Sequence, residues 1–137
     1  MRRPILLDTC ALLWVANNET LRGDAEAALQ EMAAIVDGIL VSPISAWEIG
    51  QLASRGRLRL AIDPLRWFQR NLDHGMTLAP LPVSVFVASS FLPGERLRDP
   101  ADKIMAATAR EFGYRLMTRD RPLLDLSADG HLDAIAC

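Results

Sequence analysis

Ile5-Leu6-Leu7-Asp8-Thr9 is the stretch on which the reading of this chain turns. Three large aliphatic residues stand in a row, and an aspartate follows at once. A strand with one wet face would alternate apolar and polar side chains. An unbroken apolar run instead marks a parallel strand covered on both faces, expected here over residues 4–8. A carboxylate placed directly after such a strand is costly to desolvate without a partner. The arrangement recurs: Ser45-Ala46-Trp47-Glu48, Arg98-Asp99-Pro100-Ala101-Asp102-Lys103 and Leu116-Met117-Thr118-Arg119-Asp120 each set acids where an apolar run gives way to a turn or helix.

Working outward from the first strand, residues 9–16 read as a helix. Residues 22–36 read as an amphipathic helix, with Ala25, Ala28, Leu29, Met32 and Ile35 at helical spacing and Asp37-Gly38 at its end. A second strand is expected at 39–42 and a helix at 45–54, stopped near Gly56. Pro64 opens another helix through Leu72, closed by His74-Gly75. Residues 77–81 fit a third strand. Residues 84–91 suit either helix or strand by pattern, and the order of elements favours helix. Pro100, Ala106, Ala107, Ala109 and Gly113 define a helix over 100–112. A strand at 115–118, a short helix at 122–126 and a last strand at 132–136 complete the chain. Strands alternating with helices imply right-handed crossovers and a parallel α/β sheet.

The 137 residues, 50% of them hydrophobic, suit one domain over residues 1–137. No apolar stretch approaches the ~20 residues of a membrane span. Met1-Arg2-Arg3-Pro4 leads into a short strand rather than a signal-peptide core, so the expected location is the cytoplasm. The two cysteines, Cys10 and Cys137, suggest neither a disulfide framework nor a thiolate metal site. His74 and His131 lie beside glycines and have no histidine partner at ligand spacing. No Gly-rich phosphate loop is present.

A net charge of −2 argues against a uniformly basic nucleic-acid surface. The cations are nonetheless grouped. Arg55, Arg57, Arg59, Arg66 and Arg70 follow one another and read most simply as a solvated helix face. Arg96, Arg98, Lys103, Arg119 and Arg121 flank the two later acidic motifs. Trp14 and Trp47 fall in apolar helical segments and are expected to pack inside, which leaves Trp67 as the aromatic candidate for an interface.

Ligands of an open α/β sheet collect outside the carboxyl ends of its strands. Asp8, Glu48, Asp102 and Asp120 all fall at that edge. Carboxylates crowded in a partly dry cleft repel one another, and either a proton or a hard divalent cation relieves this. A Mg²⁺ or Mn²⁺ site for phosphodiester hydrolysis is the chemistry such a set would serve. Each acid also has a local reading. Ser45-x-x-Glu48 fits a capping box. Asp99 before Pro100 fits an N-cap, which favours capping for Asp99 and chemistry for Asp102. Asp120 also fits an ordinary turn.

Taken in order, Leu6-Leu7-Asp8-Thr9-Cys10-Ala11-Leu12-Leu13-Trp14, Ser45-Ala46-Trp47-Glu48-Ile49, Leu60 after Gly-Arg-Leu, Leu92-Pro93, Arg98-Asp99-Pro100-Ala101-Asp102-Lys103 and Thr118-Arg119-Asp120 resemble the PIN-domain ribonucleases. Within them the chain looks like the VapC-type toxins of bacterial toxin–antitoxin pairs. The likeness runs from residue 5 to about residue 126. It implies a three-layer α/β fold with a mostly parallel central sheet of about five strands. It also implies a Mg²⁺- or Mn²⁺-dependent endoribonuclease, with Asp8, Glu48, Asp102 and Asp120 as catalytic and metal-binding acids and Asp99 and Thr118 as accessories. A homodimer and a VapB-type antitoxin whose C-terminal segment lies in the active-site groove belong to the same resemblance. The chain departs from the pattern at Cys10, Phe86 and Leu97, where or near which relatives often carry histidine, and at Ala101 and Lys103, where they carry phenylalanine and arginine.

Two rivals belong to other classes. A PIN-like module that binds RNA or protein without cutting would keep the fold. A phosphoacceptor receiver domain also gathers acids and a lysine at strand ends, but it carries an acidic pair at its first strand, and Asp8 has no acidic neighbour.

Overall fold

The computed structural model describes residues 3–94 and 97–137. Arg96, one of the cations grouped above, lies outside the described residues. The elements run β1 (Ile5–Leu7), α1 (Thr9–Ala16), α2 (Gly23–Ala33), β2 (Ile39–Val41), α3 (Pro43–Ser54), α4 (Pro64–Asp73), β3 (Thr77–Leu78), α5 (Val83–Ser89), α6 (Pro100–Phe112), β4 (Arg115–Thr118), α7 (Arg121–Ala128) and β5 (Ala134–Ala136).

The five strands form one sheet in the order β3-β2-β1-β4-β5, and every pairing is parallel. β1 is central and fully buried, as its unbroken apolar run requires. Its side chains alternate between faces. Ile5 and Leu7 join Leu12, Ala25, Leu29, Met32, Ile49 and Phe68 from α1 to α4. Leu6 joins Met105, Ala106, Ala109, Leu123 and Leu126 from α6 and α7. Helices therefore cover both faces, and α5 is held against α6 by Val85, Ile104 and Ala107.

Chain order leaves β1 toward β2 on one side, and toward β4 on the other only after a long crossover. The β1/β4 seam is thus the switch point of the sheet, where a crevice opens at the strand carboxyl ends. Asp8 follows β1 there, and Asp120 follows β4 after Arg119. The register Leu7↔Met117 keeps the two strand ends level.

Two glycines are fixed by geometry. Gly113 ends α6 with φ +74°, the left-handed C-cap that glycine adopts without strain. A Cβ on Gly38 would lie 2.3 Å from the Met32 carbonyl oxygen, so only glycine lets the turn after α2 reach β2.

Several boundaries differ from the sequence expectation for local reasons. α2 stops at Ala33, because Ile35 and Val36 lie exposed in the turn toward Gly38 and contribute nothing to its buried stripe. β3 has two residues instead of five, since Pro80 and Pro82 cannot continue a ladder. The ambiguous segment is helical, as chain order suggested.

The larger correction concerns α3. It begins at Pro43 with Ser42 as N-cap, whose hydroxyl oxygen accepts from Ile44 N at 3.1 Å. Ser45 is therefore inside the first turn and Glu48 in the second, which removes the capping-box reading. Trp47 is 57% exposed rather than packed. Trp67, the expected interface candidate, instead packs against the core beside Phe68.

Candidate active site

Asp8 is the most constrained of the acids, only 6% exposed. As N-cap of α1 it accepts from Ala11 N at 2.8 Å through Oδ1. Its Oδ2 accepts from the Thr118 hydroxyl at 2.6 Å. Burial pushes its carboxyl above the usual range, while the Thr118 and Ala11 hydrogen bonds pull it back; Asp120 adds a smaller rise and Arg119 a smaller fall.

Thr118 also accepts from Asp120 N at 3.0 Å. One buried hydroxyl thus fixes both the side chain of the first acid and the backbone of the last. Asp120 stands at the N-cap of α7 but makes no side-chain cap bond. Its Oδ2 is buried without a hydrogen-bond partner among the described residues. That is unusual for a carboxylate oxygen, because an unpaired buried acceptor bears its full desolvation cost.

Glu48 is held from another direction. The Thr9 hydroxyl donates to Glu48 Oε1 and lies 2.9 Å from the Ser45 hydroxyl. A carboxylate only accepts, so Thr9 spends its single proton on Glu48 and Ser45 donates to Thr9. Ser45 is fully buried and Thr9 nearly so. Burial raises the Glu48 carboxyl, the Thr9 bond lowers it, and Asp99 and Asp8 raise it further.

Asp99 caps α6, accepting from Ala101 N at 2.8 Å and Asp102 N at 3.4 Å. Asp102, one turn in, is pushed up to about 8 by burial first, then by Asp99, Asp120, Glu48 and Asp8. It feels the charge of every other acid of the set, which places the five carboxylates in one electrostatic cluster at the carboxyl edge of the sheet. The Cys10 thiol, raised by burial and by Asp8, Glu48, Asp102 and Asp120, belongs to the same field.

The structure therefore brings together all four acids expected from the sequence, with Asp99 and Thr118 beside them. Among the described residues, no three His, Cys, Asp or Glu side chains already stand at ligand spacing for a metal ion. The fit to a cation is one of charge and of free acceptors: Asp120 Oδ2 has no partner, and Asp102 is poised to take up a positive charge. Mg²⁺ suits such a site, because it keeps several waters and takes one or two carboxylates together with substrate phosphate.

Thr9 and Ser45 were missed as functional residues. They meet Glu48 only through contacts spanning 36 to 39 positions, which a single sequence does not reveal. Arg119, one of the cations flanking the later acidic motifs, is engaged within the fold: its guanidinium lies 3.7 Å from the centre of the Trp14 ring, and its Nε donates to the Cys137 carbonyl at 2.8 Å. Leu97 is buried in the apolar layer under α6 and α7, which gives it a packing role.

A central parallel sheet whose switch point collects five carboxylates defines an α/β protein with an acidic site at the strand carboxyl ends. The PIN domain family matches residues 5–128, and the chain belongs to that family. Ribonuclease VapC22 of Mycobacterium tuberculosis (strain ATCC 25618 / H37Rv) is 38% identical over 120 residues, covering 87% of this chain and 88% of the relative. Among solved structures, VapBC2 from Rickettsia felis bound to a DNA fragment from its promoter superposes with a TM-score of 0.69 at 14% identity, covering 96% of this chain and 97% of that one. DNA-bound VapBC from Salmonella typhimurium gives 0.66 at 14% identity, covering 98% of each chain. These two share the fold. The family also sets aside the receiver-domain rival.

Proposed function

We propose that the chain is a metal-dependent endoribonuclease of the VapC kind, acting as one domain over residues 1–137. The observation that carries the reading is the cluster of Asp8, Glu48, Asp99, Asp102 and Asp120 at one switch point, with Asp102 raised to about 8 by burial and by its neighbours. Likeness to a ribonuclease over most of the chain supplies the substrate class.

Asp8, Asp102 and Asp120 would hold Mg²⁺ or Mn²⁺, with Glu48 as a further ligand or as the group that orients water. When bound, the cation neutralises the scissile phosphate and lowers the pKa of an attacking water. The chain's own groups do the positioning. Thr118 keeps Asp8 and the Asp120 backbone in register. Thr9 holds Glu48 Oε1, leaving Oε2 with no hydrogen bond among the described residues and able to accept a proton from water. Asp99 fixes the start of α6 and so the height of Asp102.

The VapBC likenesses favour a VapB-type antitoxin as partner; that a segment of it lies over the acidic groove is part of the same proposal. A homodimer is also part of the reading. From residue 75 to residue 94 no side chain is ionisable. Val83 (77%), Phe86 (45%), Val87 (57%) and Phe91 (80%) are exposed along α5 and just beyond it. An uncharged apolar face can meet its own copy across a two-fold axis without repulsion. No helix among the described residues is long and apolar enough to cross a membrane, and the cytoplasm is the proposed location.

The test is incubation of a mixed pool of structured RNAs with purified protein in Mg²⁺, Mn²⁺ or EDTA. Cutting in either metal and none in EDTA is the expected result. A folded protein that binds RNA and leaves it intact in both metals would select the silent-module reading.

A further inference from the structure

A cavity of about 300 Å³ lies between the end of α5 and the approach to α6, lined by Ser89, Ser90, Leu92, Leu97, Arg98 and Lys103. Among the described residues its charged lining is cationic, Arg98 and Lys103. Arg98 precedes Asp99 and Lys103 follows Asp102, so the pocket begins where the acidic cluster ends. Neither cation has a salt-bridge partner within 4 Å among the described residues, in contrast to Arg3 with Asp133 or Arg66 with Asp63. Lys103 is half-buried. A partly desolvated ammonium without a counterion is costly, and that cost is recovered when an anion enters.

The hydroxyls sort by their bonds. Ser89 donates to the Phe86 carbonyl at 2.6 Å, which leaves it no proton for an anion. Ser90 makes no side-chain hydrogen bond among the described residues and keeps its proton. Arg98 and Lys103 thus offer donors only and Ser90 a hydroxyl free to donate, in a concave site with Leu92 and Leu97 in its wall. Phosphate oxygens match that set, with guanidinium and ammonium supplying charge-assisted bonds.

We propose that this pocket is a phosphate subsite, holding a backbone phosphate of the RNA beside the one that is cut. The inference rests on the ribonuclease reading and extends it to how the strand is laid across the site. The acidic cluster repels the RNA backbone except where a cation intervenes, so the neighbouring positive pocket holds the strand in place. Arg98 and Lys103 act in binding and not in the bond-breaking step. Their loss should raise KM and leave the rate at saturating RNA nearly unchanged.

The test compares three proteins in the Asp8→Asn background, in EDTA, binding a fluorescent single-stranded RNA over a range of salt. They are the background itself, Arg98→Gln with Lys103→Gln, and Arg55→Gln with Arg57→Gln. The last pair removes the same charge from exposed arginines beyond the end of α3. The pocket variant should bind about tenfold more weakly at low salt. Its slope of log K against log salt should be shallower by about 0.7, the value for one phosphate on a single strand. The Arg55/Arg57 variant should keep the parent slope. Equal losses in both variants would mean general charge attraction and overturn the pocket, as would no loss in either. The exposed Arg98→Gln alone, expected to give a smaller loss in the same direction, guards against misfolding of the double variant. Absence of RNA binding by the Asp8→Asn parent in EDTA would also overturn the pocket, whereas the ribonuclease reading stands or falls separately on cleavage by the wild type in Mg²⁺ or Mn²⁺.

Discussion

The Thr118 hydroxyl donates to Asp8 Oδ2 across 2.6 Å and accepts from Asp120 N at 3.0 Å, so one buried oxygen ties the first acid of the site to the last. Asp8 directly follows β1 and Thr118 ends β4, and the link crosses the seam where the strand order reverses. Thr118→Val keeps the shape and removes both bonds. It should cost about 1–3 kcal/mol of stability, the usual penalty for leaving buried polar groups unpaired, and should lower cleavage sharply. Thr118→Ser should restore most of both. Chemical denaturation and initial rates on the three proteins decide it, and a Thr118→Val enzyme of normal rate would refute the positioning role.

Ser45 reaches Glu48 only through Thr9. Thr9→Val should therefore lower the rate at saturating RNA, and Ser45→Ala should lower it less. Combining them should add nothing beyond Thr9→Val alone, because the chain is already broken. If the losses multiply instead, the two hydroxyls act independently and the relay is wrong.

The raised Asp102 carboxyl makes stability depend on pH in a stated direction. Its folded value of about 8 lies above the ordinary 3.8, so between these values the folded protein holds a proton that the unfolded chain has released. Stability contributed at this position is present below about pH 4 and is lost as pH rises toward 8. The raised Asp8 and Glu48 carboxyls act in the same sense. Mn²⁺ or Mg²⁺ should reverse the trend, raising Tm more at pH 8 than at pH 5 and releasing protons on binding. Thermal melts with and without metal at the two pH values provide the check, and a metal effect larger at pH 5 would contradict the assignment.

The α5 face should govern association. Val83→Glu with Phe91→Glu places two charges on exposed apolar positions and should yield a folded monomer whose Tm no longer rises with protein concentration. Sedimentation of both proteins at equal concentration tests it. An unchanged dimer in the variant would move the interface elsewhere.

Much of this was legible in the sequence because its signals are local. An apolar triplet ending in Asp8 can be little else than a central parallel strand, and Pro100 with Gly113 brackets α6 to the residue. The acids at strand ends were visible for the same reason, since chain order alone sends them to one edge. Errors arose where two local signals competed. Ser42-Pro43 and Ser45-x-x-Glu48 both announce a helix start, and proline at the first position with Ser42 as cap prevailed. That one step carried Glu48 into the second turn and turned Trp47 outward. The Ser45–Thr9–Glu48 chain, the Thr118–Asp8 bond and the Arg119–Trp14 contact join distant segments, and no periodicity records them.

The most direct measurement is made on Asp102→Asn, melted without metal at pH 8 and assayed for RNA cleavage in Mn²⁺ beside the wild type. Removing one charge from a self-repelling cluster should raise the Tm of the metal-free protein, shrink its response to Mn²⁺ and abolish cutting. A variant that cuts RNA at the wild-type rate, or that melts lower than the wild type without metal, would contradict the claim that these carboxylates are held together for a cation rather than for the fold.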